Sequence, residues 1–191
     1  RTADGRHPYL TRGRTDVLAH RGASAAHPPG NHLVAFAAAL EAGVDHLETD
    51  VQASADGRIV VFHDDRLDDV TTGSGRIADH PWCELGLLHY LDDGRPADHH
   101  LVLLDDVLTA FPDAFVNIDV KTDDAVAGTV ELLRRHDARD RVCVAAFGWR
   151  RLRRIRRALG PGWCSATSQP EIVALRAASW LRLPIPRVAD V

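Results

Sequence analysis

Several features are missing from the 191 residues. No uninterrupted apolar run approaches the ~20 residues that a membrane span requires. The opening stretch RTADGRHPYLTRGRT is polar and has none of the apolar centre of a signal peptide. A cytoplasmic location is therefore expected, although a first residue other than Met is compatible with a processed or trimmed amino terminus. Cysteine is scarce: Cys83, Cys143 and Cys164 show no metal-like spacing, and their odd number points to reduced, mostly buried thiols without a disulfide framework. Charge of one sign is not in excess either. The net charge is −4 and the isoelectric point about 6.3, so no global field favours nucleic acid or an anionic membrane. There is no linker, low-complexity tract or internal repeat. One domain, residues 1–191, with an ordinary soluble composition and one sizeable core is the expectation.

What is present is a rhythm. DVLA (16–19) reads as a strand, LVAFAAALEAG (33–43) as a helix stopped by Gly43, and DHLETDV (45–51) as a strand. Strand, helix and strand in this order imply parallel pairing. RIVVFHD (58–64) is a further strand, separated from Asp50 by too few residues for a parallel crossover, which takes roughly a dozen. It should return as an antiparallel hairpin with its turn near Ala55 and Asp56, bringing His63 back to about the level of Glu48. Residues 64–100 read as an irregular insertion, a cover or lid, with one short helix over 80–88. A helix over 101–111 follows, then strand 115–121, helix 125–137, strand 142–147, helix 149–160, strand 163–168 and helix 170–179. A last strand over 180–186 is weakened by two prolines. The fold class is α/β with a mainly parallel sheet.

In such folds functional groups gather at the carboxyl ends of the strands. His20 and Arg21 end the first strand, and His63 ends the hairpin. Glu48 and Asp50 lie two residues apart and leave one face of their strand, as do Asn117, Asp119 and Lys121. The like charges of Glu48 and Asp50 require a positive partner. Glu48, Asp50 and Asp119 are hard oxygen donors suited to Mg²⁺ or Ca²⁺. Arg21 and Lys121 suit a phosphate, and His20 and His63 suit proton transfer. Together they describe phosphoester cleavage.

The motifs HRG, P-x-N before an AF helix, G-x-D-x-x-E-x-D-V, DG-x-I-V-V-F-HD and TTGSG follow one another between about residues 17 and 77, with LLDDVL and NIDVK further on. In this order they resemble the glycerophosphodiester phosphodiesterase family. The resemblance implies a (β/α)₈ TIM barrel with a small insertion after the second strand. It also implies metal-dependent hydrolysis of small-molecule glycerophosphodiesters to glycerol 3-phosphate and an alcohol. The family's roles fall on His20 and His63 as acid and base in either order, on Glu48, Asp50 and Asp119 as ligands of Mg²⁺ or Ca²⁺, and on Arg21 and Lys121 as phosphate contacts. Leu67 to Ile77 would open the insertion over the barrel mouth.

The chain departs from that pattern in three places. Pro29, Gly30, Asn31 and His32 stand where the family usually reads Pro-Glu-Asn-Thr. Asp119 stands where Glu is usual, withdrawing the carboxylate by roughly 1.5 Å. Only five or six barrel strands are legible, against a fold that takes about 250 residues, so the barrel is expected to be incomplete at the carboxyl terminus. Two alternatives therefore stand beside the leading reading: a phospholipase D-like enzyme acting on lysophospholipid or sphingomyelin, and a ligand-binding relative with weakened turnover.

Other residues invite blander readings. TTGSG lacks the Gly-Lys-Ser/Thr ending of a phosphate loop and reads as a turn. In WRRLRRIRRALG, Leu152, Ile155 and Leu159 form an apolar stripe, so its arginines are expected to face solvent on an outer barrel helix. No nucleic-acid partner is expected; contact of this helix with anionic lipid is the alternative reading, left open and not predicted; the sequence sets no oligomeric state. His7, His27, His89, His99 and His100 read as surface histidines. The four tryptophans read as packing residues, with Trp82 a candidate for substrate contact.

Overall fold

The computed structural model describes residues 7–10, 16–27 and 29–183. In chain order the elements are β1 (Leu18–Ala19), α1 (Leu33–Glu41), β2 (His46–Ala53), β3 (Ile59–Val61), α2 (Trp82–Leu85), β4 (His89–Asp92) and β5 (Arg95–His100). They continue with β6 (Val102–Leu103), α3 (Leu104–Ala110), β7 (Phe115–Val120), α4 (Ala125–Arg135), β8 (Val142–Ala145), α5 (Trp149–Leu159), β9 (Cys164–Ser165) and α6 (Gln169–Trp180). The main sheet has seven strands in the order β6-β3-β2-β7-β8-β9, with β1 beside β2. Strands β1, β2, β7, β8 and β9 are mutually parallel. Among the described residues the sheet does not close between β9 and β1. This is the open (β/α) arrangement expected from the strand count.

Period-2 and period-3.6 patterns explain the layers. Every residue of β2 is buried, as befits a strand with neighbours on both edges and covered on both faces. Its Leu47 and Val51 join Val116, Ile118 and Val120 of β7 and Val142 and Val144 of β8 in the main core. Against these pack Val126, Val130 and Leu133 of α4 and Ile155 and Leu159 of α5. Of the arginines of α5, Arg150, Arg153, Arg154 and Arg157 face outward as the stripe required, while Arg151 and Arg156 are half-buried and bond to the Val120 and Ala166 carbonyls.

The hairpin forms as the short spacing demanded: β3 runs antiparallel to β2, with Val51 opposite Val61 and Ala53 opposite Ile59. Its turn is closed by the Ser54 amide donating to the Arg58 carbonyl at 2.9 Å. Ile59 and Val61 enter the main core. Val60 and Phe62 instead enter a second core with Leu67, Ile77, Leu85, Tyr90, Leu101 and Leu103. The insertion thus has its own packed interior.

Two expectations need correction there. Residues 64–100 are not irregular throughout, because β4 and β5 pair as an antiparallel hairpin. The helix expected over 101–111 begins only at Leu104; Val102 and Leu103 pair with β3 in extended conformation instead, and the Asp106 carboxylate accepts from the Leu103 amide. Backbone pairing to an open strand edge outweighed the helical period of that segment. At the carboxyl end, Trp180 closes α6 and residues 181–183 form no strand. The rest of the strand expected over 180–186 lies outside the described residues.

Glu171 ties α6 to α5. It accepts from the Ser168 amide at 2.7 Å, capping α6, and from both terminal nitrogens of Arg156 at 2.5 and 3.1 Å. Burial pushes its carboxyl up, but Arg156 and Ser168 outweigh that and hold it at about 2, below the ordinary 4.5. A depressed folded value stabilises above the unfolded one and loses that stabilisation as pH falls. Unfolding free energy should therefore drop between about pH 4.5 and 2 by ~1–2 kcal/mol, after allowance for partial exposure. Chemical denaturation of Glu171→Gln across this range should show a flatter profile; a parent-like slope would remove Glu171 as its source.

Candidate active site

Parallel register sets the site. Glu48 lies opposite Asn117 and Asp50 opposite Asp119, so the three acids Glu48, Asp50 and Asp119 share one face of the sheet. Lys121 follows two residues beyond Asp119, its amide donating to the Val51 carbonyl at 2.9 Å. Its ammonium bridges the two strands, 2.9 Å from Asp50 Oδ1 and 2.7 Å from Asp119 Oδ2. Burial lowers the Lys121 pKa, but the Asp119 and Asp50 carboxylates outweigh it and raise it. Lys121 thus answers the Asp50 charge from within the chain.

The loop after β1 supplies further partners. Arg21 adopts a left-handed φ of 57°, and its amide donates to Glu48 Oε2 at 3.1 Å. Its guanidinium Nε lies 3.6 Å from Asp50 Oδ2. His20 Nε2 stands 3.9 Å from Glu48 Oε2 with its ring largely exposed. Glu48 is buried and crowded by Asp50, and these causes, desolvation first, raise its carboxyl to about 7 despite the Arg21 amide. Asn31 donates from Nδ2 to Asp50 Oδ2 at 3.1 Å and accepts from the Thr49 hydroxyl at 2.9 Å.

Two glycines let this loop fold on itself. A Cβ on Gly22 would meet the Ala35 carbonyl carbon at 2.7 Å, so the glycine of HRG lies flat against the start of α1. A Cβ on Gly30 (φ +84°) would lie 2.5 Å from the Arg21 carbonyl oxygen. The Asn31 amide donates to that same carbonyl at 3.0 Å. HRG and P-x-N are thus one interlocked unit, and Gly30 is the contact between its halves.

His63 arrives by the hairpin. The Phe62 amide donates to the Asp50 carbonyl at 3.0 Å, which puts His63 one residue on, near the level of Thr49. Its Nδ1 lies 2.7 Å from Asp64 Oδ1; the ring is oriented by Asp64 and not by the three site acids. Gln52 Nε2 donates to the Asp64 carbonyl at 2.7 Å and steadies this turn.

The site therefore brings together Arg21, Glu48, Asp50, Asp119 and Lys121, with His20 at its edge and His63 on the adjoining turn. Among the described residues, no group of three His, Cys, Asp or Glu side chains is drawn close enough to hold an ion. The oxygen donors facing one another across β2 and β7 are Glu48, Asp50 and Asp119, and Asp119 Oδ1 is buried with no hydrogen-bond partner.

Several participants escaped the sequence reading. Gln52 continues the Glu48, Asp50 alternation and could have been found by it. Asn31 stood in a motif without a stated role. His32 is buried: its Nδ1 accepts from the Ala35 amide and caps α1, and its Nε2 donates to the His27 carbonyl. The acceptor role of Nδ1 requires a neutral ring, and burial together with His99 lowers its pKa to about 4. His99, expected at the surface, stacks on it with ring centroids 4.1 Å apart. His7, also expected at the surface, is buried and bonded to the Gly162 carbonyl. Tyr90, buried beside Phe62, anchors the insertion over this edge.

Comparison with known proteins agrees with this architecture. The model of the glycerophosphoryl diester phosphodiesterase family matches residues 20–168. A Mycobacterium tuberculosis protein named probable glycerophosphodiester phosphodiesterase 2 is 36% identical over 151 residues, covering 79% of this chain and 55% of that protein. A glycerophosphodiester phosphodiesterase structure from Agrobacterium tumefaciens superposes with a TM-score of 0.66 at 30% identity, over 76% of this chain and 62% of that one. A phosphodiesterase from Oleispira antarctica, in complex with the product sn-glycerol-3-phosphate, gives a TM-score of 0.73 at 26% identity, over 88% and 72%. The chain spans little more than half the length of the curated mycobacterial relative. By the family match across most of its length and the open barrel that carries it, this chain belongs to the glycerophosphoryl diester phosphodiesterase family.

Proposed function

We propose that the chain carries the catalytic face of a phosphodiesterase that hydrolyses glycerophosphodiesters to glycerol 3-phosphate and an alcohol. The observation that carries this is the in-register placement of Glu48, Asp50 and Asp119 beside two cations, Arg21 and Lys121, with His20 at the rim. The substrate class is supported by the relatives named above, one of them in complex with sn-glycerol-3-phosphate.

By donor chemistry, and not by their present spacing, the three carboxylates suit a hard divalent cation, Mg²⁺ or Ca²⁺. All three ligands are carboxylates, Asp119 Oδ1 is buried without a partner, and Glu48 is pushed toward its neutral form by burial and Asp50. Glu48, Asp50 and Asp119 would hold the ion, which when bound supplies Lewis-acid stabilisation of charge on the phosphoryl oxygens. Arg21 and Lys121 orient the phosphate and balance its charge. Asp64 fixes the His63 ring, so that one nitrogen stays free for proton exchange. Either His63 or His20 takes the proton of the attacking water or substrate hydroxyl, and the other returns one to the leaving oxygen. The scarce, odd cysteine set supports a cytoplasmic setting.

Glycerophosphocholine with Mg²⁺ or Ca²⁺ should yield glycerol 3-phosphate, and EDTA should abolish it. His20→Ala and His63→Ala should each slow turnover at least ~10²-fold; unchanged rates would exclude proton transfer by that residue. A lysophospholipid is the second reading, favoured by Phe147, which follows β8 at the same end of the sheet and is 80% exposed. Comparing lysophosphatidylcholine with glycerophosphocholine in the same assay separates the two.

A further inference from the structure

The arginines of α5 fall into two groups. Arg151 and Arg154 are held by Asp123, at 2.7 and 3.1 Å, and Arg156 by Glu171. Arg150, Arg153 and Arg157 are exposed and, among the described residues, pair with no carboxylate. Their spacing of three and four residues aligns them on one side of the helix. Trp149 completes that side: it is 42% exposed, and the guanidinium carbons of Arg150 and Arg153 lie 5.4 and 5.9 Å from its ring centroid. Phe147, two residues before Trp149 in the chain, is 80% exposed.

This combination is not that of an ordinary solvated helix face. Such a face carries evenly mixed charges, whereas here, among the described residues, a single carboxylate, Asp123, borders the face and pairs there with Arg154 alone. An indole and a phenyl ring left in water cost free energy that burial in a lipid headgroup layer would recover. Unpaired guanidiniums beside them are attracted by anionic headgroups. The patch also starts where β8 ends, at the end of the sheet that bears Asp119 and Lys121. The exposed Ile172, Val173 and Trp180 of α6 lack such a basic partner set and are left aside.

We propose that the face formed by Phe147, Trp149, Arg150, Arg153 and Arg157 docks the protein on an anionic lipid bilayer, rim first. The net charge of −4 favours neither anionic partner; the membrane is chosen over a nucleic acid because exposed apolar rings, Phe147 and Trp149, accompany the arginines. The proposal does not depend on the catalytic reading, since its readout is binding.

The test is co-sedimentation of the chain with phosphatidylcholine vesicles containing or lacking phosphatidylglycerol. Binding should require phosphatidylglycerol and fade at high salt. The triple variant Arg150→Glu, Arg153→Glu, Arg157→Glu should bind on the order of 10²-fold more weakly, with its circular dichroism unchanged. Should that variant misfold, Arg153→Gln with Arg157→Gln should weaken binding by about tenfold. Trp149→Ala should weaken binding while leaving its salt dependence. Failure to bind phosphatidylglycerol vesicles would overturn the proposal. So would parent-like binding by the folded arginine variants, or tighter binding to a single-stranded RNA oligonucleotide than to vesicles.

Discussion

Lys121→Met should lower the unfolding free energy by about 3 kcal/mol and the rate of glycerophosphodiester hydrolysis by at least ~10²-fold. The stability loss follows from what the ammonium leaves behind. Asp50 is almost wholly buried and Asp119 mostly so, and Lys121 is the group that bridges them. Removing one partner of a buried ion pair costs roughly 3–5 kcal/mol, because the remaining charge is desolvated and unanswered. Arg21 and Asn31 still touch Asp50, which puts the expectation at the lower end. Lys121→Arg should recover only part of either loss, since a planar guanidinium cannot replace a compact ammonium between two carboxylates at these distances. Urea denaturation and steady-state kinetics supply both numbers. A methionine variant as stable and as active as the parent would make Lys121 a solvated surface lysine. Lys121 is also the only lysine in the sequence, so reductive methylation with a labelled reagent reports that side chain apart from the chain's amino group. Its pKa should be found above the ordinary value.

Gly30→Ala should cost about 3 kcal/mol, and Gly30→Glu should reduce activity and not raise it. Glu is the residue the wider family usually carries here, so restoring it looks like repair. The backbone says otherwise. Gly30 has a φ of +84°, which charges an L side chain ~1–2 kcal/mol. Its Cβ would also stand 2.5 Å from the Arg21 carbonyl oxygen and 2.8 Å from the Ser24 Cβ, and overpacking of that kind costs ~1–3 kcal/mol more. The neighbour that must yield is Arg21, whose amide and guanidinium meet Glu48 and Asp50. Thermal denaturation would read the first effect and turnover the second. A Gly30→Glu variant with parent stability and higher turnover would mean that the loop accepts the family residue freely.

The sequence was most informative where one period governed. Glu48 with Asp50, and Asn117 with Asp119 and Lys121, alternate along strands, and parallel register then aligned the two sets without further information. The hairpin followed from its short loop alone. What stayed hidden depended on contacts between distant segments. That the Lys121 ammonium also bridges Asp50 and Asp119 was not legible, because packing alone fixes those distances. His32 and His99 are 67 positions apart in the chain, and nothing local marks them as a stack. The residues of β6 carried a helical pattern that lost to the free edge of β3. Gly30 looked like the loss of an acid, because the crowding that excludes a side chain is visible only in three dimensions.

Strand β3 serves two interiors at once, with Ile59 and Val61 on one side and Val60 and Phe62 on the other. A shared wall of this kind removes any hinge. The region between Leu67 and Leu103 cannot swing aside as a rigid flap without drawing a strand out of the sheet. Fraying of its outer turns, which leaves the packing on Val60 and Phe62 intact, is therefore its least costly motion.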